Sequence, residues 1–263
     1  MASMLTTGAV AHGVTGIIAH RGASYDAPEN TLASFRLAFE QGANAAELDL
    51  HLTADGRIIV HHDSDTMRSA GVARSVIAQT AAELRMFDVS QWGRWRGSSF
   101  KEKIPLLSEV LAIVPETRRL FIELKTGVEI LPELARVIST SGMLSRQLAV
   151  MTFDLEVAHA AKRQLPAHEV CWISAYEPSR QTGRYPVVDG LIRQAAGLDG
   201  LNLHWEFPID EALVRIVHAA GLKLYTWTVD DPVVAQRHQA AGVDGITTNR
   251  PAWLRAQLDT RPT

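Results

Sequence analysis

Short apolar runs alternate with stretches whose apolar side chains recur at helical spacing, and this alternation constrains the fold more than any other property of the chain. Strand-like runs are read at 16–19, 45–53, 119–126, 148–153, 169–174, 200–204, 223–229 and 245–248. Helical runs are read at 104–114, 130–139, 154–164, 210–220, 232–241 and 251–258. Between the first two strands, Pro28 and Asn30 mark a turn and an N-cap. Leu32, Phe35 and Phe39 recur at helical period, and Gly42 can close that helix in a left-handed conformation. A strand, a helix and a parallel strand in this order make a right-handed crossover, which brings the ends of both strands to one edge of a sheet. Eight strands so connected predict a (β/α)8 TIM barrel, with a small insertion after the second strand's hairpin. The region 175–196 has no clear period, and Tyr185-Pro186 breaks any continuous helix there.

A chain of 263 residues, 46% hydrophobic and 21% charged, is of the size one such barrel uses. Residues 13–263 are expected to form that one domain, with 63–115 as the insertion and its return helix, and 1–12 as a disordered leader. The formal net charge of -3 offers no basic footprint, so nucleic acid is not an expected partner. Trp92, Arg94 and Trp95 interleave aromatic and basic side chains, but in so short a segment they read as an excursion over the barrel mouth. The single cysteine, Cys171, excludes an internal disulfide and reads as packing within an apolar strand. No apolar window is long enough to span a membrane. Met1 to Val14 shows no basic segment leading into an apolar run, so the cytoplasm is the expected location.

Titratable side chains concentrate between residues 17 and 63. His20 and Arg21 end the first strand, and Glu47 and Asp49 lie two residues apart on the second. Asp55-Gly56 is a strong hairpin signal. A two-residue loop would pair Ala54 with Arg57 and put Asp49 opposite His62. Alternation then groups Glu47, Asp49 and His62 on one face, and Leu48, Leu50, Leu52, Ile59 and His61 on the other, which makes His62 the reactive candidate. Two carboxylates on one strand face repel unless a cation lies between them or water solvates both. A hard divalent ion, Mg²⁺ or Ca²⁺, suits oxygen donors. Farther on, alternation puts Phe121, Glu123 and Lys125 on one strand face, where Glu123 and Lys125 must meet either a ligand or each other.

His20-Arg21-Gly22, Pro28-Glu29-Asn30-Thr31, Glu47-Leu48-Asp49, Thr53-Ala54-Asp55-Gly56 and His62-Asp63 occur in an order and spacing that resembles the glycerophosphodiester phosphodiesterases of cytoplasmic bacterial type. The resemblance implies that Glu123 is a third metal carboxylate beside Glu47 and Asp49, together holding one Mg²⁺ or Ca²⁺, and that Lys125 meets phosphate. Arg21 would be a second phosphate-binding cation. His20 and His62, near neutral pKa, suit acid–base catalysis, with the division of roles open. Glu29 matches a family position and could orient Arg21 or His20; a first-turn glutamate favoured by the helix dipole explains it equally. Trp227 matches a Trp-Thr pair and could pack on the glycerol carbons, or be a plain core tryptophan. The family often carries serine where Thr152 stands and aspartate where Asn249 stands. The implied reaction is metal-dependent hydrolysis of a small-molecule glycerophosphodiester to sn-glycerol 3-phosphate and an alcohol. A lysophospholipase D, a sugar-phosphodiester phosphodiesterase and a noncatalytic barrel binding phosphorylated ligands are the alternatives.

Overall fold

The computed structural model describes residues 15–174, 178 and 183–259, so the expected leader at 1–12 lies outside the described residues. β1 (Gly16–Ala19) is followed by α1 (Leu32–Glu40), and β2 (Ala45–Leu52) leads into β3 (Ile58–Val60). The excursion after β3 contains α2 (Met67–Ala70) and α3 (Ala81–Leu84), and α4 (Leu107–Leu111) returns to the wall. Then come β4 (Arg119–Leu124), α5 (Leu131–Thr140), β5 (Leu148–Thr152), α6 (Leu155–Gln164), β6 (Glu169–Ser174) and α7 (Val188–Gln194). The chain ends with β7 (Gly200–His204), α8 (Glu211–Ala219), β8 (Lys223–Trp227), α9 (Pro232–Ala241), β9 (Gly245–Thr248) and α10 (Pro251–Asp259). β1 pairs in parallel with both β2 and β9, which closes eight parallel strands into a ring; β3 hangs on β2 as an antiparallel arm. The architecture is the expected (β/α)8 barrel.

Alternation along the strands divides the core. Leu48, Leu50, Leu120, Ile122, Leu201 and Leu224 pack outward against the helices. Ile18, Phe121, Met151, Cys171, Ile173 and Tyr225 fill the barrel, with Phe121 and Tyr225 edge to face at 5.0 Å between ring centroids. Each fully buried aliphatic or aromatic side chain contributes roughly 1.5–3 kcal/mol. Burial also pushes the Cys171 thiol up, so it stays protonated as packing. Ile59, Val76, Ala81, Leu84 and Ile104 make a separate cluster, which gives the excursion its own small core.

Local chemistry moves several expected boundaries. The helix expected at 104–114 shortens to α4 because its first residues pair with the hairpin arm: Pro105 O accepts from Val60 N–H at 2.9 Å, and Leu106 bridges Ile59. α1 is capped by Thr31, not Asn30; the Thr31 hydroxyl accepts from Ser34 N–H at 3.2 Å. The hairpin loop has three residues. Thr53 N–H donates to Arg57 O at 2.9 Å, and Gly56 takes the left-handed conformation at φ 69°. Leu52 therefore faces Ile58 and Leu50 faces Val60, one residue away from the expected register. Asp49 O consequently accepts from His61 N–H, not His62.

Candidate active site

The C-terminal ends of β1, β2 and β4 carry the charged side chains inward. After β1, Arg21 and Gly22 adopt positive φ of 55° and 79°, so the chain doubles back over the barrel mouth. A side chain at position 22 would also collide with Ser34, whose Oγ would lie 2.4 Å from the added Cβ. This turn aims Arg21 at three acids. Its backbone N–H donates to Glu47 Oε2 at 2.9 Å, its Nη1 donates to Glu29 Oε1 at 2.9 Å, and its Nε lies 3.2 Å from Asp49 Oδ2. Asn30, freed from capping and held at φ 56°, donates from Nδ2 to Asp49 Oδ2 at 2.8 Å.

The parallel register of β2 and β4 sets Asp49 beside Glu123. Glu47, Asp49 and Glu123 are buried, and one oxygen of each lies within 4.8 Å of the others. Burial and the Asp49 charge push Glu123 up to about 7, and burial with its two acidic neighbours pushes Glu47 well above the usual carboxylate range. Burial works the same way on Asp49, but Lys125 and Arg21 outweigh it and bring Asp49 down to about 2. Glu47 Oε1 is buried without a hydrogen-bond partner, and Asp49 Oδ1 has only the Lys125 charge beside it. Carboxylate oxygens so gathered are a donor set fit for a hard divalent cation. Lys125, just past β4, donates to Glu123 Oε1 and lies 3.1 Å from Asp49 Oδ1.

Both candidate histidines reach this cluster's edge. His20 Nδ1 meets Asn249 Oδ1 at 2.7 Å, and burial followed by the Arg21 charge lowers the ring to about 4. The register correction would favour His61 by alternation, yet β3 ends at Val60 and the next residues leave the pleat. His61 turns into the excursion, with Nδ1 at 2.9 Å from Asp63 O and Nε2 at 2.8 Å from Ser69 Oγ. Burial lowers the His62 pKa, and the Asp49 charge, near enough to act on the ring, opposes that. The expected register, which singles out His62, is thus corrected by one residue. His62 Nδ1 meets Asp63 Oδ1 at 2.6 Å, and His51 Nε2 lies 3.0 Å from the His62 carbonyl.

Arg68, which sequence reasoning passed over, joins these groups: its Nε donates to Asp63 Oδ2 at 2.6 Å and its Nη2 to Glu29 Oε1 at 2.8 Å. Phe153 and Asp230 were also passed over. Phe153 stands edge to face with Trp227 at 5.3 Å and lies 5.8 Å below Lys125 Nζ, so Trp227 belongs to an aromatic wall beside that cation. His204 packs against the same Trp227 at 5.2 Å. Thr152 and Asn202 are buried within the barrel. On the opposite side, a cavity of about 300 Å³ is bounded by His62, Glu29, Arg68, Trp92 and Trp95 under the excursion. Arg94 straps that excursion to the loop after β1 through the carbonyls of Ser24 and Tyr25.

Buried carboxylates, two cations and two histidines gather at the barrel's C-terminal mouth, where enzymes of this fold carry their active sites. The sequence model of the glycerophosphoryl diester phosphodiesterase family matches residues 20–253, and the chain belongs to that family of phosphoric diester hydrolases. It is 32% identical over 246 residues to a glycerophosphodiester phosphodiesterase of Caldanaerobacter subterraneus subsp. tengcongensis, covering 91% of this chain and 96% of that protein. Its fold superposes with a TM-score of 0.81 on an Oleispira antarctica phosphodiesterase in complex with the product sn-glycerol-3-phosphate, at 27% identity, 94% of this chain and 98% of the other. A glycerophosphodiester phosphodiesterase from Agrobacterium tumefaciens matches with a TM-score of 0.72 and 26% identity, covering 92% and 99% of the two chains.

Proposed function

We propose that the chain hydrolyses glycerophosphodiesters to sn-glycerol 3-phosphate and an alcohol such as choline or ethanolamine, with Mg²⁺ or Ca²⁺ on Glu47, Asp49 and Glu123. The observation that carries this reading is the convergence of three buried carboxylates, with Glu47 Oε1 left without a hydrogen-bond partner, beside Arg21 and Lys125. A divalent cation there supplies Lewis-acid stabilisation of charge growing on the phosphoryl oxygens. Arg21 and Lys125 bind the nonbridging oxygens, and Glu29 holds the Arg21 guanidinium from behind. The Trp227 wall packs the glycerol carbons.

The two histidines divide the proton work by their partners. His20, lowered to about 4, is neutral near pH 7 and faces a neutral amide, which suits removal of a proton from the nucleophile. That nucleophile is water or the substrate's own glycerol hydroxyl. Burial lowers the His62 pKa, but the ring faces the Asp63 carboxylate, which favours the imidazolium against that effect and suits donation to the leaving alcohol. The cavity beyond His62 then receives that alcohol. Residues 13–263 act as one catalytic unit in the cytoplasm. No helix among the described residues is long and apolar enough to cross a membrane.

Replacing the alcohol by p-nitrophenol, which leaves without protonation, tests the assignment. His62→Ala should lose roughly 10²–10⁴-fold on the alkyl diester and far less on the aryl one, while His20→Ala loses activity on both. Equal losses for His62→Ala on the two substrates would refute the acid role.

A further inference from the structure

We infer that Asp230 is a positioning residue: through the side-chain amide of Asn249 it fixes which ring nitrogen of His20 carries the proton. The inference rests on the proposed role of His20 and adds to it a residue three positions beyond Trp227. β8, β9 and β1 are consecutive in the sheet, and Asp230, Asn249 and His20 stand just past their respective C-terminal ends.

The hydrogen-bond directions leave one arrangement. Asp230 Oδ1 accepts from Asn249 N–H at 2.9 Å and from Thr248 Oγ1 at 2.7 Å, which fixes the carboxylate against the turn after β9. Its Oδ2 lies 2.6 Å from Asn249 Nδ2. A carboxylate oxygen accepts from each of these donors, so the amide presents its NH₂ group to Asp230. The amide oxygen is thereby turned toward His20 Nδ1, 2.7 Å away, and it also accepts from Ser24 Oγ at 2.9 Å. A carbonyl oxygen cannot donate. His20 therefore carries its proton on Nδ1 and presents the Nε2 lone pair, the form a general base requires.

Without Asp230, the amide of Asn249 could turn over and offer NH₂ to His20, which would select the opposite tautomer and block Nε2 as an acceptor. Exchanging the two groups, Asp230→Asn with Asn249→Asp, keeps every donor facing an acceptor: the new amide donates to the new carboxylate, which accepts from His20 Nδ1. The exchange therefore separates direction of hydrogen bonding from mere presence of a side chain.

The test is nitrogen NMR of the histidine rings in ¹⁵N-labelled protein near neutral pH, assigned with His20→Gln and run beside steady-state kinetics on glycerophosphocholine. The wild type should show His20 as the Nδ1–H tautomer, Asp230→Ala should lose that preference, and the exchange should restore it. In kinetics, Asp230→Ala should lower kcat about 10- to 100-fold with KM within about twofold, and the exchange should recover most of the loss. An Nε2–H tautomer in the wild type, an unchanged tautomer in Asp230→Ala, or an exchange no better than Asp230→Asn alone would overturn the inference. The tautomer readout needs no substrate. Absence of glycerophosphocholine hydrolysis with an Nδ1–H ring sensitive to Asp230 would thus contradict the proposed reaction and leave the positioning role supported.

Discussion

Lys125 Nζ lies 3.1 Å from Asp49 Oδ1 across the parallel pairing that aligns Asp49 with Glu123. The same ammonium binds Glu123, so one cation joins two of the three carboxylates and still borders the Phe153 and Trp227 wall. Lys125→Met should lower kcat/KM on a glycerophosphodiester by roughly 10²–10³-fold through loss of charge stabilisation at phosphate. Lys125→Arg should retain more activity than Lys125→Met. Steady-state kinetics of the two variants checks the order.

Metal binding should show in stability before it shows in turnover. A ligand bound only by the folded state at a hundred times its Kd adds about 2.7 kcal/mol. Mg²⁺ or Ca²⁺ is therefore expected to raise Tm in the wild type and to leave Asp49→Asn unmoved, with chelator reversing the wild-type gain. Calorimetry with each ion reads the difference.

The turn after β1 needs glycine. Gly22 has φ 79° and no room for a Cβ against Ser34. Gly22→Ala should destabilise the fold by at least about 1–2 kcal/mol and displace Arg21 from Glu47 and Asp49. Denaturant unfolding should show a lower midpoint, and activity should fall further than the stability loss explains. Gly42→Ala is a fit comparison, because its φ of 80° is similar but nothing lies near its absent Cβ.

His238 gives stability a pH dependence unrelated to catalysis. It is fully buried in α9, and burial, then Arg237, lowers its pKa to about 4. The unfolded chain titrates near ~6.5, so between that value and about 4 the unfolded state binds the additional proton. The contribution is complete above ~6.5, falls as pH drops toward 4, and levels off below it. Urea unfolding from pH 7.5 to 4 should show this decline in the wild type and a shallower one in His238→Gln.

The barrel was legible because the strands are short apolar runs punctuated by glycine or proline and most wall helices carry their own period; α7 falls within 175–196, where no period is readable. The carboxylates were equally legible: Glu47-x-Asp49 and Glu123-x-Lys125 need only period-two alternation to share a face. Partner choice at close range was not. Asp55-Gly56 fits both a two- and a three-residue loop, and the difference moved His61 into the register position expected for His62. Asn30 looked like a cap but serves Asp49, since Thr31 takes over the capping. Arg68 and Asp230 act through residues distant in sequence, which no local pattern reveals.

The most direct measurement is release of sn-glycerol 3-phosphate from glycerophosphocholine by the purified protein, with Mg²⁺, with Ca²⁺ and with chelator, alongside His20→Ala and Asp49→Asn. Release is expected with at least one of the two ions, none with chelator, and near-complete loss in both variants. Release that continues unchanged in chelator, or in Asp49→Asn, would contradict the carboxylate-held cation at the centre of the site.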